Sequence, residues 1–113
     1  MEGMFGGCRN LESIELYSFV TKNVKDMNEM FEFCTDLINI EFSSFFDTQN
    51  VQNMDRMFAN CWSLLNINLS SFDFRHCKPI IDMFYDCFHL DKVIIKKEFY
   101  YNIDNGRYEI IKV

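Results

Sequence analysis

Apolar positions in this chain fall into one phrase, Met-Phe-x-x-Cys-x-x-Leu-x-x-Ile, met four times. The copies are Met4, Phe5, Cys8, Leu11, Ile14; Met30, Phe31, Cys34, Leu37, Ile40; Met57, Phe58, Cys61, Leu64, Ile67; and Met83, Phe84, Cys87, Leu90, Val93. Successive copies lie 26, 27 and 26 residues apart. A fixed period of that length marks stacked units, each burying its apolar face against its neighbours.

Within a unit the apolar period changes. Val24, Met27, Met30, Phe31 and Cys34 fall on one side of a helical wheel, with Lys25, Asp26, Asn28, Glu29 and Glu32 opposite. This spacing predicts a short amphipathic helix over 23–34, capped by Asn23. The same pattern predicts helices over 50–61, capped by Asn50, and over 77–87, where Pro79 sits in the first turn and His76 replaces the capping Asn. Phe33 breaks the pattern by landing on the polar side; its counterparts are Asn60 and Asp86. Leu37, Ile40 and Phe42 then alternate with Asn39, Glu41 and Ser43, the signature of a half-buried strand. Stacked units would pair these strands in parallel. Repeat two carries its extra residue in the following loop, Phe45-Phe46 against a lone Phe72.

After residue 96 the period is lost. Phe99–Ile103 and Arg107–Lys112 flank Asn105-Gly106, a strong two-residue hairpin signal. The expected organisation is therefore a repeat array over 1–96, with units at about 4–29, 30–56, 57–82 and 83–96, and a β-hairpin cap over 97–113. The hairpin would cover the open end of the array.

Composition narrows the function classes. The chain has 113 residues and a net charge of −6. Residues 1–60 hold ten acids and four bases, and residues 61–113 hold seven of each, so the excess negative charge lies in the first half. That balance argues against nucleic-acid or anionic-membrane binding, which needs Lys and Arg to neutralise phosphate. No apolar run is long enough for a transmembrane helix, and Met1–Gly7 does not read as a signal peptide. The five cysteines are odd in number and four share one repeat position, so they read as reduced, buried thiols.

The repeated Met-Phe-x-x-Cys-x-x-Leu-x-x-Ile, with Asp47-Thr48-x-Asn50-Val51-x-x-Met54 between copies, resembles the BspA-like leucine-rich-repeat surface proteins and the related mycoplasma lipoprotein repeat. The likeness covers about residues 4–96. Leu37-x-x-Ile40-x-Phe42 and Leu64-x-x-Ile67-x-Leu69 match the family's strand phrase. Phe74, His76 and Cys77 depart from its Thr, Asn and Val, and Val20 departs from its Asp. The resemblance implies an α/β, leucine-rich-repeat-like solenoid with short parallel strands on one face and short helices on the other. It also implies adhesion or protein binding, usually at a cell surface. A start at Met1 with no leader would instead place the chain in the cytoplasm.

No catalytic constellation is expected, and no cofactor. Zinc sites use close pairs such as Cys-x-x-Cys, which are absent; His76-Cys77 and Cys87-x-His89 are the weak candidates for an isolated metal or Cys–His pair. No phosphate loop or serine-nucleophile motif occurs. The candidate binding face is the outward side of the strands: Ser13, Glu15, Tyr17; Asn39, Glu41, Ser43; Asn66, Asn68, Ser70; Lys92, Ile94, Lys96. It runs from acidic through amide to basic. The expectation is a non-enzymatic module that binds a protein or other macromolecule through this face. The alternative is a spacer segment of a longer surface array with no ligand of its own, and end-to-end self-association of copies is an expected further contact. Asn68-Leu69-Ser70 is also a glycosylation sequon.

Overall fold

The computed structural model spans residues 1–113 and describes all of them except Ser18, Ser44, Asp104 and Asn105. The element order is β1 (Ser13–Glu15), β2 (Asn39–Glu41), β3 (Asn66–Asn68), β4 (Lys92–Ile95), a 3-10 helix (Lys97–Asn102) and β5 (Glu109–Lys112). The strands form two small parallel sheets, β1-β2 and β3-β4-β5. Ile14 lies beside Ile40, and Val93 lies between Ile67 and Ile110. The four Met-Phe-Cys-Leu-Ile sets thus lie above one another in chain order, in a body of 30 × 28 × 22 Å.

The expected helices are not there. Among the described residues the single helical element is the 3-10 helix at Lys97–Asn102, so the fold is mostly strand and turn rather than a helix-bearing α/β leucine-rich-repeat solenoid. In place of each helix runs a chain of i→i+3 turns. Cys34 N–H donates to Phe31 O at 3.1 Å, Leu37 N–H to Cys34 O at 3.1 Å, and Glu32 N–H to Glu29 O at 3.1 Å. The alternate N–H groups point sideways into the next unit. Phe5 N–H donates to Met30 O (2.8 Å), Phe31 to Met57 O (2.8 Å) and Phe58 to Met83 O (3.0 Å). Residues two positions on do the same: Gly7 to Glu32 O (2.7 Å), Phe33 to Ala59 O (2.9 Å), and Asn60 to Tyr85 O (2.7 Å). An N–H committed to a neighbouring unit cannot bond the carbonyl four residues back, so no helix forms. A lone twelve-residue helix is marginal in water in any case.

The backbone geometry that permits this is also periodic. Glu29, Arg56 and Asp82, each just before a repeat Met, have φ of 57, 55 and 56°. Phe33, Asn60 and Asp86, each just before a repeat Cys, have φ of 61, 60 and 56°. The first unit places Gly3 (φ 60°) and Gly7 (φ 75°) at the same two positions. Left-handed residues interrupt any right-handed helix and cost a non-glycine residue roughly 1–2 kcal/mol each. Phe33 therefore breaks the helical pattern because it occupies one of these turns. The wheel pattern misled because Met27, Met30, Phe31 and Cys34 are spaced alike in a helix and in a run of i→i+3 turns.

Two columns of rings run along the stack. Phe5, Phe31, Phe58 and Phe84 stack face to face at 5.2, 5.4 and 5.6 Å, tilted by no more than 11°. Tyr108 closes this column edge-on against Phe84 at 5.4 Å. Phe46 and Phe72 stack at 5.8 Å, and the second column ends where Phe99 meets Phe74 edge-on at 5.5 Å. Phe31, Phe58, Phe46 and Phe72 are all buried. Phe46 is the inward member of the Phe45-Phe46 pair, and the inserted Phe45 stays 79 % exposed.

Tyr108 and Phe99 belong to a C-terminal segment that does close the stack, but not as a β-hairpin. The first expected hairpin arm is the 3-10 helix, and the second, β5, pairs parallel to β4 with Lys92 beside Glu109. Asp104 and Asn105 of the expected turn lie outside the described residues. The unpaired edge of β4 supplies the reason: its open N–H and C=O groups are satisfied by β5, which puts Ile110 against Val93.

The residues between copies also acquire roles. Thr48 Oγ1 accepts from Asp73 N–H (2.8 Å) and donates to Asp73 O (3.1 Å), while Thr21 Oγ1 accepts from Asp47 N–H (2.7 Å). Asp47 Oδ1 accepts from Gln49 N–H at 2.9 Å. Asn50 does not cap a helix; its Nδ2 donates to Lys22 O in the unit before, at 2.7 Å.

The turn geometry predicts the sign of one substitution. Glu29→Gly relieves a left-handed residue and should raise stability by about 1 kcal/mol, whereas in a helix interior it would cost about 1 kcal/mol. Urea melts of the two proteins distinguish these outcomes.

Candidate functional site

All twelve residues of the expected face lie at the surface: Ser43, Ser70 and Ile94 are half-buried and the other nine are exposed. Parallel pairing in strict register sets them in rows. Ser13 stands beside Asn39, and Asn66 beside Lys92. Glu15 stands beside Glu41, and Asn68 beside Ile94. The row that begins at Asn66 continues onto Glu109 of β5, so the basic end of the surface carries an acid that the repeat pattern alone does not place there.

The Glu15–Glu41 pair puts two like charges side by side, an arrangement that disfavours the sheet unless a cation sits nearby. Tyr17 responds to it. Its hydroxyl donates to Glu41 Oε2 at 2.6 Å. That bond, with the negative charge of Glu41, raises the phenol above its ordinary value.

Next to Glu41 the surface is recessed. The two sheets meet between β2 and β3, which share no strand pairing among the described residues. At this seam lies a recess of about 360 Å³ lined by Tyr17, Glu41, Asn68 and Ser70 of the expected face, with Phe42 and Ser71. It adjoins a recess of about 500 Å³ that shares Tyr17 and Ser71 and is walled by Phe19, Val20, Phe45 and Phe46. Val20 is 89 % exposed at its rim. The seam gathers Tyr17, Glu41, Asn68 and Ser70, and leaves Ser13, Lys92 and Lys96 away from it. Phe45 and Val20 escape a reading by strand alternation because they sit in loops. The one signal for Phe45 is its status as the inserted residue. Asn68 of the sequon is exposed, and its Oδ1 accepts from Ser70 N–H at 2.9 Å.

The cysteine ladder is a structural feature with its own chemistry. All five cysteines are free. Cys34 Sγ donates to Phe5 O (3.1 Å), Cys61 Sγ to Phe31 O (3.2 Å) and Cys87 Sγ to Phe58 O (3.0 Å). Each thiol thus bonds the carbonyl of the ring one unit earlier, so these cysteines are more than small apolar filler. Burial pushes Cys34 and Cys77 up to about 11 and Cys87 up to about 12, and it raises Cys61 further. A thiol held protonated is a poor nucleophile and a poor metal ligand. His76 and His89 do not join it: His76 is exposed, and His89 Nδ1 lies 2.6 Å from Trp62 O. Among the described residues no three His, Cys, Asp or Glu side chains gather as a metal-holding group. No helix there is long and apolar enough to cross a membrane.

Fold and surface together define a small stack of turn-and-strand repeats with a polar outer face. The chain belongs to the family described as Mycoplasma protein of unknown function, DUF285, which matches residues 1–105. No curated protein and no solved structure matches it.

The thiols set a pH dependence. The folded values of Cys34, Cys61, Cys77 and Cys87 lie above the ordinary thiol value of 9.0, so the folded state keeps protons that the unfolded chain gives up. The stability they contribute is whole below pH 9 and is lost progressively as pH rises towards 11 and 12. Urea melts at pH 7 and pH 10 should show the loss, and Cys61→Ala should reduce it. At pH 8 a disulfide-exchange reagent should label exposed Cys8 well before the other four.

Proposed function

We propose that the chain is a non-enzymatic binding module of the BspA-like, adhesion type, acting at a cell surface and holding a protein partner through the outer strand face. The observation that carries this reading is the seam between the sheets. Glu41 and Tyr17 line one recess, Glu15 stands next to Glu41 in the sheet, and Tyr17 also lines the adjoining recess with exposed apolar walls at Val20 and Phe45. A carboxylate pair with no ion-pair partner among the described residues, near an apolar hollow, suits a partner segment carrying a Lys or Arg beside an aliphatic or aromatic side chain. Burial that holds Cys34, Cys61 and Cys87 protonated supports a role without covalent chemistry at those three rungs.

A second reading, a spacer that stacks against further repeat units, draws on the first unit. Phe5, Leu11 and Ile14 are only half-buried, whereas Phe31, Leu37 and Ile40 are buried. Such a surface fits another unit of the same kind, including one from a second copy.

The combined variant Glu15→Gln, Glu41→Gln, Asn68→Ala, Lys92→Gln separates the two. Partner proteins captured by the wild type should be lost from the variant while its thermal midpoint does not fall, since replacing Glu15 and Glu41 removes a like-charge pair. Capture of every partner at unchanged affinity would contradict the binding-face reading. Concentration-dependent association in sedimentation, abolished by Phe5→Asp, is the outcome the spacer reading requires.

A further inference from the structure

A second groove crosses the molecule away from the strands. It measures about 480 Å³ and is lined by Asn23, Lys25, Asn50, Gln52, His76 and Lys78. None of these residues is on the expected binding face. They are two repeat positions seen three times: Asn23, Asn50, His76 in one row and Lys25, Gln52, Lys78 in the other.

The backbone holds the second row in line. Gln52 N–H donates to Lys25 O at 2.7 Å, and Lys78 N–H donates to Gln52 O at 3.0 Å. The three side chains therefore leave successive units at one register, with Lys25 and Lys78 two unit spacings, about 10 Å, apart at the backbone. All six lining residues are exposed. Among the described residues no ion pair involves Lys25, Lys78 or His76; the pairs formed are Arg56 with Glu32 and Asp82, and Arg75 with Asp73. The neighbouring acids are turned to the backbone instead. Asp26 Oδ1 accepts from Asn28 N–H (2.9 Å), and Asp55 Oδ1 accepts from Ile81 N–H (2.8 Å). Among the described residues no lysine of the chain forms an ion pair, and Lys25 and Lys78 are the two that line this groove.

From this we infer that the groove is a binding site for an acidic oligosaccharide, a sugar chain carrying carboxylates at intervals. Lys25 and Lys78 meet two carboxylates of the ligand. Gln52 between them, with Asn23 and Asn50 alongside, presents amides that both donate to and accept from hydroxyls. The lining excludes other classes. It has no aromatic platform, so stacked nucleobases gain nothing there. Its positive charge is sparse, whereas a polyphosphate needs a dense basic track. Its backbone N–H groups at Gln52 and Lys78 are already spent, so an extended peptide finds no ladder to join.

The test is calorimetric titration of the intact chain with a galacturonic-acid hexamer. Hexaglutamate, a neutral maltohexaose and a short oligothymidylate serve as comparison ligands. The galacturonate hexamer should bind most tightly, and more weakly as salt is raised. The Lys25→Gln/Lys78→Gln variant should lose about tenfold or more in affinity, since two exposed charge-assisted contacts disappear. Gln52→Ala should weaken the galacturonate hexamer but leave any residual hexaglutamate binding unchanged. The thermal midpoint should not move in either variant, because all three side chains are exposed. Absence of galacturonate binding, equal binding of hexaglutamate, tighter binding of the oligothymidylate, or indifference to the double lysine variant would each overturn the proposal. None of these outcomes touches Glu15, Glu41 or Tyr17, so the reading of the strand face stands or falls separately.

Discussion

Everything in this fold depends on backbone N–H groups that donate sideways, from one repeat unit to the next, where a helix would have kept them. Phe31 N–H reaches Met57 O, and Phe33 N–H reaches Ala59 O. Such bonds can form only if the intervening residues turn the chain, which is why Glu29 and Phe33 sit in the left-handed region. The ring columns follow from the same placement. Units linked in register by backbone bonds put Phe5, Phe31, Phe58 and Phe84 one above another. The thiol of each following cysteine then falls within reach of the previous unit's Phe carbonyl. Offset-stacked rings add about 0.5–1.5 kcal/mol per pair beyond their buried area, so the column reinforces the register that created it.

The period, the strands and most of the core were legible in the amino-acid order, but Met4 and Cys8 of the first unit, expected to be buried, are exposed. Ile40, Ile67 and Val93 are buried, and the residues flanking them in the strands face outward or lie half-exposed. Turn structure was not legible, because Met27, Met30, Phe31 and Cys34 satisfy a helical wheel and a run of tight turns equally well. One clue existed. Gly3 and Gly7 stand where Glu29 and Phe33 recur, and glycine at two fixed repeat positions points to positive φ rather than helix. The hairpin misread the C-terminal segment for a related reason. Local turn chemistry at Asn105-Gly106 competes with the open edge of β4, and the edge took β5 in parallel.

The surfaces were legible to different degrees. Strand alternation exposed Glu15, Glu41 and Asn68, because parallel pairing keeps each position in its row. The recess at the seam was hidden, since it arises where β2 and β3 share no strand pairing among the described residues. The Lys25–Gln52–Lys78 row was hidden as well. Those residues looked like the solvated side of a helix, where nothing would have aligned them across units. With turns in place of helices, the backbone bonds of Gln52 and Lys78 make them a row. An acidic seam and a basic groove thus coexist on a small body because each is a repeat position read across units.

The most direct measurement is of scalar couplings across hydrogen bonds in isotopically labelled protein. Sideways donation predicts couplings from Phe31 N to Met57 carbonyl carbon and from Phe58 N to Met83 carbonyl carbon. Couplings from Phe31 N to Met27 carbonyl carbon, four residues back, would show a helix and contradict the stack.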